Sequence, residues 1–306
     1  MIDTAIYIGR FQPFHQGHLQ NCIQALKQAK KLIILIGSAG IGPVPMNPWS
    51  FEERCQMILS SLPEQDQARV TLLPLYDSLY NQTAWEKRVK KLVDDHSSIT
   101  DSKALVIFAK DASSFYLDCF PAWQQIHLPM VVDQAQVCIS ATHIRKQFFE
   151  HANVTEDLVP PSVREMLLAF KTNPCFKALV DAHQAFNHDL SHRKTLFTLI
   201  LYNEQNVLLS KRTQSLGLGQ FALPTFATQK QLDDFLDNHF PHHDVIESKT
   251  IESLMLKLPY KLTYAKLSVF NALPKNYSLG SHDTIIQDDL FADHRSILFD
   301  PMKLSF

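Results

Sequence analysis

Two histidines, His15 and His18, flank Gly17 directly after an apolar run that ends in Gly9 and is followed by Arg10. Imidazoles three residues apart share one face of a helix, so both rings are expected over exposed N–H groups of its first turn. Gly17 leaves room for a bulky anion to approach the backbone, and Arg10 adds a permanent positive charge. This pattern indicates a site that binds phosphates and stabilises charge developing on them.

A second polar cluster occupies residues 138–148, CISATHIRKQF. Ser140 and Thr142 can cap a new helix, and Arg145 follows one turn later. Taken alone, this segment is typical of a capped surface helix with an ordinary arginine. Together with the histidine pair, it predicts a second positive group for a phosphate chain.

The first 170 residues alternate short apolar runs with amphipathic helical patterns. Continuous apolar strands separated by helices predict an α/β domain with a doubly wound parallel sheet. Such sheets bind ligands at the carboxyl ends of their strands and phosphates at the helices that follow. The predicted strands lie at 5–9, 31–37, 69–76, 103–109 and 129–132, and the predicted helices at 18–31, 50–62, 84–96 and 160–170.

The pattern changes near residue 172. A helical segment at 176–186 leads to strands at 195–202 and 206–212, a helix at 231–240 and a strand at 262–273. The less regular alternation predicts a smaller α+β domain. The expected division is a first domain at 1–172, a linker at 173–192 and a second domain at 193–306.

The composition is that of a globular chain, with 45% hydrophobic residues, 20% charged residues and a net charge of −2. This balance favours no nucleic-acid partner and no anionic membrane surface. No apolar run approaches the length of a membrane span, and no signal peptide is evident. Five scattered cysteines fit a reducing cytoplasm and predict neither disulfides nor a protein metal site. A homo-oligomer is compatible with the sequence.

The stretch GRFQPFHQGH resembles the nucleotidyltransferase signature, in which a strand ends in a glycine turn and a helix opens with HxGH. Three further segments, at 36–54, 76–89 and 109–123, are similar to the archaeal-type nicotinamide mononucleotide adenylyltransferases. The similarity is closest to bacterial relatives that carry a fused Nudix domain, and it covers residues 1 to about 170 well. It implies that ATP and nicotinamide mononucleotide react to give NAD⁺ and pyrophosphate, with Mg²⁺ bridging phosphate oxygens.

The resemblance also implies roles for individual residues. Asn81 would recognise the carboxamide, and Trp85 would stack on the cationic pyridinium ring, although Trp85 could instead be a core aromatic. His18 is expected at the α-phosphate, with His15 and Arg145 beside it as catalytic groups. The remaining ATP-binding residues implied are Gly9, Arg10, Phe11, Gly17, Lys110, Asp111, Ser140 and Thr142, with Ser114 near the adenosine.

One position departs from the family pattern. Where the family has a basic residue that reaches the ATP phosphates, this sequence has Met46. The loss of a cation should weaken triphosphate binding without excluding activity. The acid substrate, nicotinate mononucleotide, stays open as an alternative, since it differs from the amide by one group and one charge.

The second half resembles the entry to a Nudix domain at residues 210–226. A working Nudix box needs glutamates that bind Mg²⁺, yet no glutamate occurs between Glu204 and Glu247. Asp233, Asp234 and Asp237 are shorter and fit a solvated helix face better. The histidines that follow, His239, His242 and His243, indicate an exposed helix end rather than a metal site.

The sequence therefore predicts an adenylyltransferase with a Nudix-like domain that does not hydrolyse. Two alternatives stay open. One is a bifunctional enzyme that still cleaves ADP-ribose. The other is a nucleotide-binding or sensing protein.

Overall fold

A computed structural model describes residues 1–77, 82–108, 119–188, 195–213, 220–252, 259–281 and His294. The chain forms two compact units, each with its own β-sheet. Unit 1 contains Met1–Ala39, Met46–Asp77 and Gln82–Phe176, and the main part of unit 2 is the chain from Lys177 onward. The finer division at residues 172 and 192 stays a prediction.

Unit 1 is built on five parallel strands in the order β3-β2-β1-β4-β5, with helices in the connections. Its elements are β1 (Ile2–Gly9), α1 (Gln16–Gln28), β2 (Ala29–Ile36), α2 (Phe51–Ser61), α3 (Glu64–Gln67), β3 (Val70–Pro74), α4 (Gln82–Asp95), β4 (Lys103–Phe108), β5 (Gln124–Leu128), α5 (Ala141–His151) and α6 (Pro161–Phe170).

The central strand β1 explains why this sheet forms. Ile6 pairs with Ile33 of β2 on one side and with Leu105 of β4 on the other, and all three are buried. Val89 and Val93 of α4 pack on the same apolar cluster. Strands buried on both faces need continuous apolar runs, which these sequences supply. The doubly wound parallel sheet is confirmed, and it directs the ends of β1 and β2 to one edge.

The fifth strand was predicted in the wrong place. Residues 129–132 are not a strand, and only Val132 forms an isolated bridge, to Cys138. The strand is β5, an edge strand in which the buried residues Ile126 and Leu128 alternate with exposed ones. Half-buried edge strands alternate in polarity, so a search for continuous apolar runs misses them.

Unit 2 has a mixed sheet in the order β10-β11-β6-β7-β12, in which β11 and β6 are parallel. Leu232 and Leu236 of the helix α8 pack on Leu199 and Leu201 of β6 in one apolar cluster. The elements from the end of unit 1 onward are α7 (Phe176–His188), β6 (Leu196–Tyr202), β7 (Asn206–Lys211), β8 (Phe221–Ala222), β9 (Thr225–Phe226), α8 (Gln229–His239), β10 (Asp244–Glu252), β11 (Pro259–Lys266) and β12 (Tyr277–Ser281).

The smaller α+β domain predicted for the second half is therefore confirmed, but four of its strands were missed, namely the two-residue strands β8 and β9 and the longer strands β10 and β12. The edge strand β10 is mostly exposed and mixes charged with apolar residues, and β12 contains Gly280. The strand predicted at 262–273 ends at Lys266. Within the described part of the chain, no helix is both long and apolar enough to span a membrane.

Candidate active site

The junction between β1 and α1 holds the histidine pair in a reciprocal cap. His15 is the N-cap residue of α1, and its Nδ1 accepts from the backbone N–H of His18 at 3.3 Å. Nδ1 of His18 accepts in turn from the backbone N–H of His15, also at 3.3 Å. The two rings stack with centroids 3.5 Å apart and planes 19° apart. Each histidine therefore fixes the orientation of the other.

This cap determines which ring nitrogen of His15 and of His18 carries the proton. A backbone N–H can only donate, so both Nδ1 atoms act as acceptors in these hydrogen bonds. In the neutral imidazole the proton must then lie on Nε2. Each ring consequently presents an Nε2–H donor, which is the group that a phosphate oxygen accepts from.

Three N–H groups at the start of α1 have partners within the protein. Those of His15 and His18 are used in the cap, and that of Gln16 donates to the Leu158 carbonyl oxygen at 3.0 Å. The expectation that the first turn offers exposed N–H groups therefore does not hold for these three residues.

Gly17 leaves room for a neighbouring side chain. A Cβ at this position would lie 3.1 Å from Cε1 and 3.2 Å from Nδ1 of His15. Gly17 is buried, and Val131 from the segment after β5 would be the next contact at 3.7 Å. The missing side chain makes room for the imidazole of His15, and the approach of an anion to this backbone stays a prediction.

The buried ring of Phe11 packs against the ring of His18. The backbone of Phe11 is left-handed, with φ of 53°, and its ring is 1% exposed and lies 4.8 Å from the His18 ring. A Cβ at Gly9 would meet the Phe11 ring at 2.8 Å, so this packing requires a glycine there. Since the ring of Phe11 is buried, a contribution of Phe11 to ATP binding would have to come from its backbone.

The start of α5 brings the second cluster to the same place. Ser140 is the N-cap and accepts from the N–H of His143 at 3.2 Å, whereas Thr142 does not cap but accepts from Nη2 of Arg145 at 3.4 Å. Nη1 of Arg145 donates to the carbonyl oxygen of Gln12 at 2.6 Å. This bond joins α5 to the turn that precedes α1.

Two arginines share this space. Arg145 is 7% exposed, and burial together with the positive charge of Arg10 lowers its pKa to about 10, which still leaves it charged at neutral pH. Among the ion pairs of the described residues, none involves Arg10 or Arg145. Two neighbouring cations that form no salt bridge among the described residues favour the binding of an anion.

Sequence reasoning missed the polar groups that hold these loops. The buried side chain of Gln12 donates to Oδ1 of Asn47 at 2.6 Å and to the Trp49 carbonyl oxygen at 2.8 Å. Arg54 of α2 is buried as well and donates to the carbonyl oxygens of Arg10 and Gly37. No local pattern could have revealed them, because their partners belong to loops that are distant in the sequence.

Asp77, which follows β3, was also not singled out. Its Oδ1 accepts from the backbone N–H of Ser38 at 3.2 Å. Burial raises the pKa of Asp77, while the bond from Ser38 and the charges of Arg10 and Arg54 oppose that rise. Asp77 therefore interacts electrostatically with Arg10 and Arg54.

Trp85 lies in the first half of α4, half-buried against the apolar cluster, with its ring 6.2 Å from that of Phe120. This placement is compatible with either of its predicted roles. Met46 is half-buried in the turn before α2. The other predicted ligands, Asn81, Lys110, Asp111 and Ser114, lie outside the described residues.

In unit 2 the three aspartates lie where a solvated helix face was predicted. All are exposed on α8, and Asp233 accepts from Nε2 of Gln229 at 2.8 Å. His239 is the last residue of α8, and Nδ1 of His243 lies 2.8 Å from the Phe240 carbonyl oxygen. The described residues contain no cluster of three His, Cys, Asp or Glu side chains that could hold a metal.

Comparison with known proteins first shows the broad class of protein that the first half of the chain resembles. Residues 6–147 match the cytidylyltransferase-like family model, which covers the sheet of unit 1, the histidine pair and Arg145.

Comparison with individual proteins then defines the family more closely. The chain is 34% identical over 183 residues to the nicotinamide/nicotinic acid mononucleotide adenylyltransferase of Acinetobacter baylyi, covering 60% of this chain and 94% of the relative. It is 31% identical over 172 residues to the nicotinamide-nucleotide adenylyltransferase of Thermococcus onnurineus, covering 56% and 85%. The chain belongs to the family of mononucleotide adenylyltransferases represented by the Acinetobacter protein.

The whole chain also shares its fold with a solved structure. A bifunctional NMN adenylyltransferase/ADP ribose pyrophosphatase from Francisella tularensis, complexed with AMP and Mn ion, superposes with a TM-score of 0.77 at 24% identity. The match covers 97% of this chain and 98% of that one. This chain therefore shares the fold of both of its units with that structure.

Proposed function

We propose that the protein transfers AMP from ATP to nicotinamide mononucleotide and releases NAD⁺ and pyrophosphate. The observation that carries this proposal is the bond from Nη1 of Arg145 to the Gln12 carbonyl oxygen, which brings the start of α5 to the turn before the capped pair His15 and His18. Membership of the adenylyltransferase family supports the same reaction.

The mechanism rests on positioning and electrostatics. The 5′-phosphate of the mononucleotide attacks the α-phosphate of ATP in line, and the bond to pyrophosphate breaks. His18 donates to the α-phosphate as negative charge develops, while His15 and Arg145 neutralise the departing pyrophosphate. ATP would bind as its Mg²⁺ complex, and the ion would neutralise part of the phosphate charge. Ser140, Thr142 and Arg10 complete the cradle for the triphosphate.

The second substrate is assigned to the other end of the site. Trp85 stacks on the pyridinium ring, and Asn81 recognises the carboxamide, which an amide side chain can both donate to and accept from. The name of the Acinetobacter relative includes both the amide and the acid substrates, so the acid is the natural competitor in an assay.

The second domain, assigned to residues 193–306 after a linker at 173–192, has a Nudix-like fold that does not hydrolyse ADP-ribose. The exposed aspartates of α8 support this assignment, because they are spread on a solvated face without a glutamate beside them. We further infer that the protein works in the cytoplasm.

The test is pyrophosphate release by the purified protein with Mg-ATP, with the amide and acid mononucleotides compared. Turnover that favours the amide supports the proposal and shows that Met46 is tolerated. Equal or faster turnover with the acid overturns the role of Asn81. Tight nucleotide binding without turnover of either substrate overturns the transferase and favours a sensing protein.

A further inference from the structure

Arg54 is a buried arginine that the proposed reaction does not use. It lies in the first turn of α2, its residue is 1% exposed, and it follows the cap that Ser50 and Glu53 form at the start of that helix. A guanidinium is rarely buried unless each of its N–H groups has a partner. The partners of Arg54 therefore indicate what it does.

Every nitrogen of the guanidinium donates to a backbone carbonyl. Nη1 donates to Arg10 at 2.9 Å and to Gly37 at 2.6 Å, Nη2 to Ser38 at 3.4 Å, and Nε to Ser50 at 3.0 Å. Arg10 directly follows β1, and Gly37 and Ser38 directly follow β2. One side chain thus ties together the loops at the carboxyl ends of two neighbouring strands.

We propose that Arg54 is a positioning residue for the phosphate site, whose bonds to the carbonyl oxygens of Arg10 and Gly37 hold the backbone that carries the Arg10 side chain. This inference rests on the proposed function. Because Arg54 is 1% exposed and each of its three nitrogens donates to a protein carbonyl, Arg54 itself does not bind substrate. A planar guanidinium suits this positioning role, since its N–H groups reach several carbonyl oxygens from one buried position.

The planar guanidinium of Arg54 explains why a lysine should not be able to replace this residue. In Arg54→Lys the positive charge stays, but one ammonium group cannot replace donors that point at four carbonyls from a planar frame. The backbone at Arg10 would shift, and a displacement near 1 Å at a phosphate ligand costs about 10² in rate. We expect kcat/KM for ATP to fall about 10²-fold while KM for the mononucleotide changes less than about twofold.

Arg69 offers a matched control at the opposite end of β2. It donates from Nε to the Lys30 carbonyl oxygen at 3.0 Å and from Nη2 to the Ala29 carbonyl oxygen at 2.8 Å. Those residues begin β2, away from the loops that Arg54 holds. Arg69→Lys removes the same kind of bond and should leave the kinetics for ATP at the wild-type level.

The experiment measures steady-state kinetics for each substrate in the wild type, Arg54→Lys and Arg69→Lys, with near-UV circular dichroism to establish folding. A selective loss toward ATP in Arg54→Lys alone supports the proposal. Wild-type kinetics in Arg54→Lys would show that charge suffices and overturn it. An equal loss toward both substrates, or the same ATP defect in Arg69→Lys, would overturn it in favour of a general structural role.

ATP affinity from calorimetry separates this inference from the reaction itself. If the wild type binds ATP but does not turn over, the proposed function fails, yet Arg54→Lys is still expected to bind ATP at least tenfold more weakly. If the wild type turns over and Arg54→Lys binds ATP with unchanged affinity and keeps its kcat, the function stands and the positioning role fails.

Discussion

The helices α1 and α8 begin in nearly the same way, yet they differ in what remains for chemistry. His15 caps α1 by accepting from the N–H of His18 at 3.3 Å, and Thr228 caps α8 by accepting from the N–H of Gln231 at 3.2 Å. An imidazole keeps a second nitrogen after capping, whereas the threonine hydroxyl has only its own O–H to offer. The two caps therefore differ in chemistry, because each histidine of α1 carries an Nε2–H donor in addition to the Nδ1 that caps the helix.

The two helices α1 and α8 also differ in the charge of the side chains around them. Arg10 and Arg145 place two positive charges near the start of α1. The exposed face of α8 carries Asp233, Asp234 and Asp237 instead. The start of α1 thus has positive charge nearby, whereas α8 presents negative charge, which is the sign that a polyphosphate carries. Four changes test this comparison.

Removal of His18 should have the largest effect. His18→Ala deletes both an Nε2–H donor and half of the reciprocal cap, so kcat should fall about 10²–10³-fold. The control is His96→Ala at the exposed end of α4, where Nδ1 lies 2.9 Å from the Leu92 carbonyl oxygen. Steady-state pyrophosphate release gives both values. More than half of the wild-type activity in His18→Ala would contradict the assignment.

A methyl group beside His15 should have a smaller effect on the same site. In Gly17→Ala the new Cβ would lie 3.1 Å from Cε1 of His15, so the ring must move and kcat should fall about tenfold. Gln16→Ala is the neighbouring control, because it adds no atom near the ring and keeps the backbone bond to Leu158. Equal activity in Gly17→Ala and Gln16→Ala would mean that the ring position does not matter.

Acid should weaken unit 2 through His294. Burial, with a contribution from the charge of Arg212, lowers the pKa of His294 to about 3, and its Nδ1 accepts from the Leu223 N–H at 3.0 Å. An unfolded histidine titrates near pH 6.5. The unfolded chain therefore binds a proton that the folded unit does not bind between about pH 6.5 and 3, so stability falls as the pH falls through this window, by up to about 1.4 kcal/mol per pH unit.

Urea unfolding at pH 7 and pH 5 measures this effect of His294. The tryptophans Trp49, Trp85 and Trp123 all lie in unit 1, so their fluorescence follows that unit, while circular dichroism follows both. His294→Gln should flatten the pH dependence of the transition that fluorescence does not follow. An unchanged pH dependence in His294→Gln would refute the role of this imidazole.

The smallest effect is expected at the aspartates of α8. With ADP-ribose and Mg²⁺, both the wild type and the triple variant Asp233→Asn, Asp234→Asn, Asp237→Asn should release AMP only at the background rate. Substantial release that the triple variant abolishes would make unit 2 a hydrolase and remove the contrast with unit 1.

The sequence was sufficient for the features that are local. The strand β1, the helix α1 and the residue types of the site follow from the apolar run and the spacing of His15 and His18. Their capping geometry did not follow, since a histidine cap depends on which ring nitrogen meets the backbone. Arg54 also looked like any charged residue on an amphipathic helix, because the carbonyls it binds come from two other loops.

Strand prediction failed where burial is one-sided. β5 and β10 lie at sheet edges, where one side of the strand has no strand neighbour within the described chain and polar residues are tolerated. Their sequences therefore lack the continuous apolar run that identified β1 and β2. Neighbouring strands, rather than the local sequence, determine where such edge strands begin and end.

The bond from Arg145 to the carbonyl oxygen of Gln12 joins residues 133 positions apart. Contacts of this sequence separation form late, because the chain between them must first be ordered. During synthesis, α1 and its histidines leave the ribosome long before α5 does. The nascent chain should therefore acquire its affinity for ATP only after α5 has docked, so nucleotide binding would report the completion of unit 1.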